Sequence, residues 1–249
     1  MSFTEHNVNG LIYDTSDVIT AAGSGAVHAF TTRHGGVSPA PYDSLNFADN
    51  KGDTSENLLE NYRRLGGAVG FDASCAVGCR QIHSGLVRIA SEEDAGKILW
   101  DDRPYDADGL ITNVPNLPLF AYGTDCCVIT LYDPTSRSIG AVHAGWRGTA
   151  SGIALKAAVS MMSCYGADPY TLRAAIGPSI GKCCFETDSD VADAFFALLD
   201  PAMDERIEKR GDKYHIDLKA ITRLWLLRAG IDPSRIDVHP DCTKCRPDR

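Results

Sequence analysis

The chain has 249 residues, of which 44% are hydrophobic, and a formal net charge of -9 at pH 7. This length and apolar content suit one large globular domain. The acidic excess argues against a nucleic-acid partner, because binding a phosphate backbone requires clustered Lys and Arg side chains. No stretch is apolar for long enough to span a membrane, and residues 1–10 lack the layout of a signal peptide, so we expect a cytoplasmic protein with no membrane partner.

The predicted strands are short apolar runs rich in β-branched or aromatic residues. In chain order they span residues 26–31, 117–122, 127–132, 139–142, 172–176 and 236–238. Segments with helical spacing span residues 55–65, 149–164, 191–199 and 218–228, with Asp53 or Thr54 as the first N-cap and Gly230 ending the last helix. Strands and helices mix without regular alternation, which favours an α+β fold in a single catalytic domain, residues 1–249.

Nine cysteines are present, an odd number that fits a closed disulfide framework poorly. Free cysteine is usually a small buried hydrophobe, so we expect most of the nine to serve packing and at least one to serve chemistry. Cys242 and Cys245 have the spacing of a metal knuckle, but the sequence contains no second Cys-x-x-Cys pair to complete a tetrahedral site. We therefore interpret these two as structural thiols.

Three segments each place one possible metal ligand at the end of a predicted rigid element: His83, Cys126 and His143. Two imidazoles and one thiolate suit zinc, and a catalytic zinc site keeps its fourth position open for water or substrate. Considered singly, each residue is more often a packed or hydrogen-bonded core residue than a ligand. The separations between them have no diagnostic spacing, so the residues alone leave both interpretations open.

A series of motifs extends from Thr31 to Cys245. It comprises Thr-Thr-Arg-His-Gly-Gly-Val-Ser (31–38), Pro-Tyr-Asp-Ser-Leu-Asn (41–46), Asn-Tyr-Arg (61–63), Gln-Ile-His (81–83), Asp-Cys (125–126), His-Ala-Gly-Trp-Arg-Gly (143–148), Gly-Pro-Ser-Ile-Gly (177–181) and Cys-Phe-Glu (184–186). In this order the motifs resemble the laccase-domain, or multicopper polyphenol oxidoreductase, family, now regarded as zinc-dependent purine nucleoside phosphorylases and adenosine deaminases. The sequence departs from the family in reading Gly-Thr-Asp-Cys at 123–126, where the family usually has Thr-Ala-Asp-Cys. It also ends at Arg249, where the family continues into a Phe-Phe-Ser-x-Arg strand.

The resemblance implies a zinc ion held by His83, Cys126 and His143. It also implies phosphorolysis of adenosine, inosine, guanosine and methylthioadenosine, with hydrolytic deamination of adenosine, so the expected partners are nucleosides and phosphate. The implied fold has mixed β-sheets sandwiched between helices and is related to the catalytic domain of a toxin deamidase. We expect the metal to polarise the attacking oxygen, which belongs to phosphate in phosphorolysis and to water in deamination.

Four further residues are candidates for catalysis or substrate binding: Arg33, Asn46, Arg147 and Glu186. Arg33 lies in a glycine-rich turn and either binds an anion or forms a surface salt bridge. Asn46 either holds the base or ribose or caps a turn, and Arg147, at the start of a predicted helix, either binds phosphate or caps a carbonyl. Glu186 is either an acid/base group or a structural anchor. Asp125, next to a predicted ligand, is expected to orient its neighbours rather than to act as the general base.

Three other functions stay open. A copper polyphenol oxidase is disfavoured because the seven histidines form no His-x-His pair, although copper could bind adventitiously. A Cys–His amide or peptide hydrolase, such as a cell-wall precursor editing enzyme, would use Cys126 as nucleophile and His143 as base. A zinc-stabilised binding domain without enzyme activity would need a fourth protein ligand, for which Cys127 or Cys184 is the candidate.

Overall fold

A computed structural model describes residues 2–23, 25–49 and 51–248. The strands are β1 (Phe3–Val8), β2 (Leu11–Ser16), β3 (Phe30–Thr31), β4 (Val87–Ile89), β5 (Gly109–Thr112), β6 (Cys127–Asp133), β7 (Ser138–Ala144), β8 (Arg173–Ile176), β9 (Glu186–Thr187), β10 (Ile207–Arg210), β11 (Lys213–Ile216) and β12 (Ile236–Val238). The helices are α1 (Asp17–Thr20), α2 (Ser55–Val69), α3 (Trp146–Ala150), α4 (Ile153–Tyr165), α5 (Ser189–Phe196), α6 (Pro201–Asp204) and α7 (Leu218–Arg228).

A six-stranded mixed sheet in the order β12-β8-β6-β7-β5-β4 forms the centre of the fold. Strands β5, β6, β7 and β8 pair antiparallel, whereas β4 and β12 pair parallel to their neighbours at the two edges. Two three-stranded sheets, β1-β2-β3 and β10-β11-β9, accompany it. These mixed sheets with interspersed helices confirm the predicted α+β class, whereas the relation to a toxin deamidase stays a prediction.

The central sheet is covered on both faces because successive side chains of β6 point in opposite directions. Ile129 and Leu131 belong to the largest core cluster, which α4 and α7 complete. On the other face, Tyr132 packs with the buried Phe30 and Ile19. The strands that carry the candidate ligands are therefore held rigidly from both sides.

Two predicted strands are wrong in whole or in part. Residues 117–122 form no strand: Leu119 makes only an isolated bridge to Val77, whose N–H donates to the Pro118 carbonyl at 2.9 Å. Pro118 has no backbone N–H to offer a ladder, which explains why an apolar run fails to extend into a sheet. Within 26–31, only Phe30–Thr31 is a strand.

The helix predicted over 149–164 is two helices, α3 and α4, separated at Gly152. Gly152 has φ +73°, a left-handed conformation that interrupts a helix and favours glycine. A Cβ there would lie 3.5 Å from the Trp225 ring, and the Trp225 Nε1–H donates to the Thr149 carbonyl at 2.8 Å. The break thus lets α7 pack closely on the turn that follows β7.

Two other predicted helix ends are confirmed, whereas α2 continues to Val69, beyond the predicted residue 65, and α5 ends at Phe196, before the predicted residue 199. The Thr54 side chain accepts from the Asn57 N–H at 3.3 Å at the start of α2, and Gly230 has φ +89° just beyond α7. The β1–β2 hairpin was not predicted, although Asn9 and Gly10, both with positive φ, are a strong turn signal. Among the described residues, no helix combines the length and apolar character that crossing a bilayer requires.

Candidate metal centre

The pairing of β6 with β7 positions two of the three predicted ligands. In the antiparallel register Cys127 faces Ala144 and Val128 faces His143, so Cys126, just before β6, lies beside the end of β7 that carries His143. His83 reaches the same place from the loop before β4, in a left-handed conformation with φ +56°. Residues far apart in sequence are therefore joined by the central sheet.

The ligand atoms of His83, Cys126 and His143 all lie within 4.8 Å of one another. The two imidazole rings meet edge to face, with centroids 4.9 Å apart and planes inclined by 82°. His143 is buried, Cys126 is half-buried and His83 is exposed. Within residues 2–23, 25–49 and 51–248 the cluster has three members, as expected of a catalytic metal site with one position open to solvent or substrate.

Asp108 orients this cluster and was not predicted from the sequence. Its buried carboxylate accepts from the backbone N–H of His83 at 3.0 Å and of Ser84 at 2.6 Å, and from the Ser84 hydroxyl at 2.7 Å. Its Oδ1 is also 2.9 Å from Nδ1 of His143. One carboxylate thus fixes both histidine-bearing segments and leaves Nε2 of His143 to face the ligand cluster.

The electrostatic environment of the cluster favours a cation. Burial lowers the pKa of His143, but hydrogen bonds to Asp108 and Cys126 outweigh burial and raise the pKa to about 9. Burial raises the pKa of Asp108, but hydrogen bonds from His143 and Ser84 outweigh burial and lower it. A site that stabilises positive charge on an imidazole beside a buried carboxylate also suits a metal cation.

Gly145 leaves the space in which the ligands converge. A Cβ at this position would lie 3.0 Å from Nδ1 of His83 and 3.2 Å from Sγ of Cys126. Its backbone, with φ -66°, is open to any residue, so the requirement for glycine here is steric rather than conformational. Two imidazoles, one thiolate and a side-chain-free cradle together fit a tetrahedral metal ion.

We expect Gly145→Ala to weaken metal binding roughly 10- to 100-fold, because the methyl group displaces His83 or Cys126 from the convergent geometry. Competition with a chromophoric chelator measures this change. Gly67→Ala is the matched control: Gly67 lies in α2 with no atom near its Cβ position, so this variant should keep its metal and unfold at the same or a higher temperature. Unchanged metal affinity in Gly145→Ala would contradict the assigned cradle.

The family model described as multi-copper polyphenol oxidoreductase laccase matches residues 27–249. The chain belongs to this laccase-domain family. It is 35% identical to a purine nucleoside phosphorylase, YlmD, of Geobacillus stearothermophilus, over 89% of this chain and 82% of the relative. An adenosine deaminase, RL5, from an unknown prokaryotic organism is 34% identical, over 88% of this chain and 85% of the relative. The crystal structure of the Geobacillus YlmD superposes with a TM-score of 0.89 at 32% identity, covering 98% of this chain and 90% of that one.

The alternative in which Cys127 or Cys184 supplies a fourth protein ligand is not supported by the structure. Cys127 points away from the cluster into the core, fully buried, with its Sγ 3.3 Å from the Ser179 hydroxyl. Burial raises the pKa of the Cys127 thiol to about 11, so it stays protonated. Cys184 belongs to a separate group of cysteines, so neither candidate for a fourth ligand joins His83 and its partners.

Arg33 and Asn46 lie apart from the three ligands and line a cavity of about 870 Å³. Nε and Nη2 of Arg33 donate to the Asp43 carbonyl at 3.0 and 2.8 Å, and about half of the side chain is exposed. The Asn46 amide donates to Asp53 at 2.9 Å and accepts from the Ala48 N–H at 2.9 Å. The lining includes Gly123 and Thr124, which precede Cys126 in sequence, but none of the three ligands.

Arg147 and Glu186 occupy different parts of the molecule. Arg147 is exposed near the start of α3, four residues after His143, and its guanidinium stacks 4.0 Å from the centre of the Trp146 ring. Glu186 lies in β9, half-exposed, with its carboxylate 3.4 Å from Nε2 of His215. Neither side chain is part of the ligand cluster.

Proposed function

We propose that this protein is a zinc-dependent purine nucleoside phosphorylase that also deaminates adenosine, with one catalytic domain formed by residues 1–249. The proposal depends chiefly on one observation: two imidazoles and one cysteine sulfur converge, and no fourth protein ligand among the described residues joins them. The names of the relatives supply the substrate class, since similar chains are purine nucleoside phosphorylases and an adenosine deaminase. Both reactions need an oxygen nucleophile, phosphate in one and water in the other.

His83, Cys126 and His143 would hold the zinc ion. We prefer zinc to copper because the mixed imidazole–thiolate set with an open position is typical of catalytic zinc, and the sequence lacks His-x-His pairs. When bound, zinc supplies Lewis-acid polarisation of an oxygen atom at the open position. Copper binding at the same residues would be adventitious.

Asp108 prepares His143 for this role. It accepts a hydrogen bond from Nδ1–H, which leaves Nε2 as the nitrogen that faces the metal site, and it holds the ring against rotation. The same carboxylate anchors the His83 segment through two backbone N–H groups. The ligand geometry is thus built before substrate arrives, so little reorganisation accompanies the reaction.

The cavity lined by Arg33 and Asn46 is our proposed nucleoside site. A volume of about 870 Å³ is ample for a nucleoside and a phosphate ion. Aromatic side chains of Phe47, Phe120 and Tyr122 offer surfaces for the purine base, and Asn46 offers polar groups for base or ribose. Arg33, anchored by Asp43 and half-exposed at this cavity, is the candidate for binding phosphate.

Arg147 is a second candidate for phosphate, because it is a cation close in sequence to His143. Glu186 is retained as a candidate acid/base group. It pairs with His215 within the β10-β11-β9 sheet, not within the six-stranded sheet that carries His143. The proposed partners are nucleosides and phosphate, with no nucleic acid and no membrane. The cytoplasmic location stays a prediction from the sequence.

A nucleoside panel with and without phosphate tests the proposal. Inosine, guanosine and methylthioadenosine should release free base and ribose 1-phosphate (or its methylthio analogue) only when phosphate is present, because phosphate attacks C1′. Adenosine should release ammonia without phosphate, because water attacks C6 of the base. Turnover of none of these four nucleosides by the metal-loaded protein would contradict the proposed function.

A Cys–His hydrolase is the second candidate function, because the Cys126 thiol, the His143 imidazole and the Asp108 carboxylate are hydrogen-bonded in sequence. An assay with an amide or peptide substrate tests it. The names of the relatives do not favour this activity. It also gives His83 no role, although His83 converges with the other two ligands. Hydrolysis of an amide by metal-free protein would reverse this preference.

A further inference from the structure

A second group of sulfur atoms lies apart from the three proposed ligands. Cys183, Cys184, Cys242 and Cys245 have Sγ atoms that all lie within 4.8 Å of one another. From sequence, Cys242 and Cys245 are interpreted as structural thiols because the chain has no second Cys-x-x-Cys pair. In the structure, however, the adjacent Cys183–Cys184 pair lies next to Cys242 and Cys245, so that the four cysteines form one group of possible metal ligands.

Two loops bring the pairs together through backbone hydrogen bonds. Residues 181–184 form a turn in which the Cys184 N–H donates to the Gly181 carbonyl at 2.9 Å. In the second loop, the Cys245 N–H donates to the Cys242 carbonyl at 3.0 Å, which folds the knuckle so that both thiols point the same way. An isolated parallel bridge joins Cys242 to Ser179 and fixes the two loops side by side.

Gly181 has a role here like that of Gly145 in the first site. A Cβ on Gly181 would lie 3.2 Å from Sγ of Cys183 and 3.6 Å from Sγ of Cys242, inside the sulfur group. Its backbone N–H also donates to Sγ of Cys242 at 3.2 Å. Amide donors of this kind stabilise a thiolate, the form of cysteine that binds a metal.

We propose that Cys183, Cys184, Cys242 and Cys245 bind a second zinc ion in a closed, structural site of four thiolates. Zinc–sulfur bonds of about 2.3 Å in a tetrahedron place the sulfurs about 3.8 Å apart. The Cys183–Cys245 and Cys184–Cys245 sulfur distances are 3.8 and 3.4 Å. The group is therefore close to the required geometry.

The exposure of the group and its number of sulfur atoms favour a metal over four free thiols. Cys183 and Cys245 are exposed, so unligated thiols would be open to oxidation. A single disulfide would use two sulfurs and leave the other two unexplained, whereas one zinc ion uses all four.

The second site is connected to the first through Asp125. Its Oδ1 accepts from the Thr243 hydroxyl, inside the knuckle, at 2.6 Å. Its carbonyl accepts from the Ile180 N–H at 2.8 Å, next to Gly181. Because Asp125 precedes Cys126, a metal that fixes both loops also fixes the backbone that presents this ligand.

The zinc content of the natural protein and three variants tests the proposal and does not depend on enzyme activity. Each protein is purified with reductant and without added metal, and zinc is counted by mass spectrometry. We expect about two zinc ions in the natural chain, about one in Cys126→Ala, about one in Cys242→Ser/Cys245→Ser and about two in the control Cys164→Ser. Cys164 is an exposed cysteine of α4 outside both groups.

The outcomes separate this site from the catalytic one. One zinc in the natural chain that is lost in Cys126→Ala would overturn the second site and leave the proposed function intact. One zinc that survives in Cys126→Ala and disappears in the double variant would support the second site alone. Unchanged zinc in the double variant, or a disulfide within the group in place of metal, would also overturn the proposal.

Cobalt gives a second readout should the double variant fail to fold. Co(II) exchanged into Cys126→Ala should produce the visible absorption of tetrahedral Co(II) together with intense near-ultraviolet bands from thiolate-to-metal charge transfer. The same protein should resist alkylation at Cys245 until a chelator is added. Absence of these bands, with rapid alkylation of Cys245 in the metal-loaded chain, would overturn the four-thiolate site.

Discussion

Cys126→Ala should abolish phosphorolysis of inosine, with kcat/KM reduced roughly a thousandfold or more, about 4 kcal/mol of transition-state stabilisation. The variant removes the only thiolate of the three converging ligands and leaves His83 and His143 too few to hold zinc tightly. Zinc content should fall by about one ion per chain. Steady-state kinetics beside metal analysis of the same preparation measures both effects.

Cys164→Ala is the matched control for this variant, since it removes an exposed thiol remote from either cluster. Its activity and zinc content should equal those of the natural chain. Serine at 126 is a poorer test than alanine, because its oxygen retains weak metal affinity. A Cys126→Ala protein with full zinc and full activity would remove Cys126 from the ligand set.

Asp108→Asn should lower the affinity for zinc roughly 10- to 100-fold and reduce activity accordingly. The amide keeps the shape of the carboxylate, but it has only one oxygen that can accept a hydrogen bond, and its NH2 group can only donate. It therefore gives up part of its hydrogen bonding to His143 Nδ1 and to the two backbone N–H groups of His83 and Ser84. Excess zinc should restore much of the activity, because the ligands themselves are intact.

Asp106→Asn is the control for Asp108→Asn. Asp106 lies two residues earlier with an exposed carboxylate that pairs with Arg80, and surface pairs of this kind contribute little. Its zinc affinity and activity should stay at the level of the natural chain. Equal zinc affinities of the two variants, both unchanged, would mean that Asp108 does not act through His143.

Elements of the fold were predicted correctly where the sequence signal lies within the element itself. Helices α2 and α7 and strand β6 were predicted because periodicity, caps and β-branched runs lie within each segment. The break at Gly152 was not predicted, because an isolated glycine inside a helical pattern is tolerated and its left-handed conformation is not visible in the periodicity. Residues 117–122 were assigned to a strand from their apolar character. Apolar character does not show whether a neighbouring strand lies alongside the segment, and the structure provides only one bridge, from Leu119 to Val77.

The site shows the same division. His83, Cys126 and His143 were predicted through motifs that resemble a family. The pairing of β6 with β7 brings Cys126 to His143, and the Asp108 carboxylate holds the His83 segment beside them. Asp108 was missed because nothing in the sequence links it to residues 83 and 143, although a carboxylate just before the buried strand β5 is a weak signal. The Cys183–Cys184 pair was likewise not predicted, because two adjacent cysteines lack the Cys-x-x-Cys spacing that is typical of a zinc knuckle.

The most direct test of the metal-dependent mechanism is inosine cleavage by protein stripped of metal and then reconstituted. We expect chelation to abolish formation of ribose 1-phosphate and zinc to restore it in the presence of phosphate. Iodoacetamide should label Cys126 slowly until the metal is removed. Full activity of the metal-free protein, with rapid labelling of Cys126 and a covalent intermediate on its sulfur, would contradict the metal centre and assign Cys126 as a nucleophile.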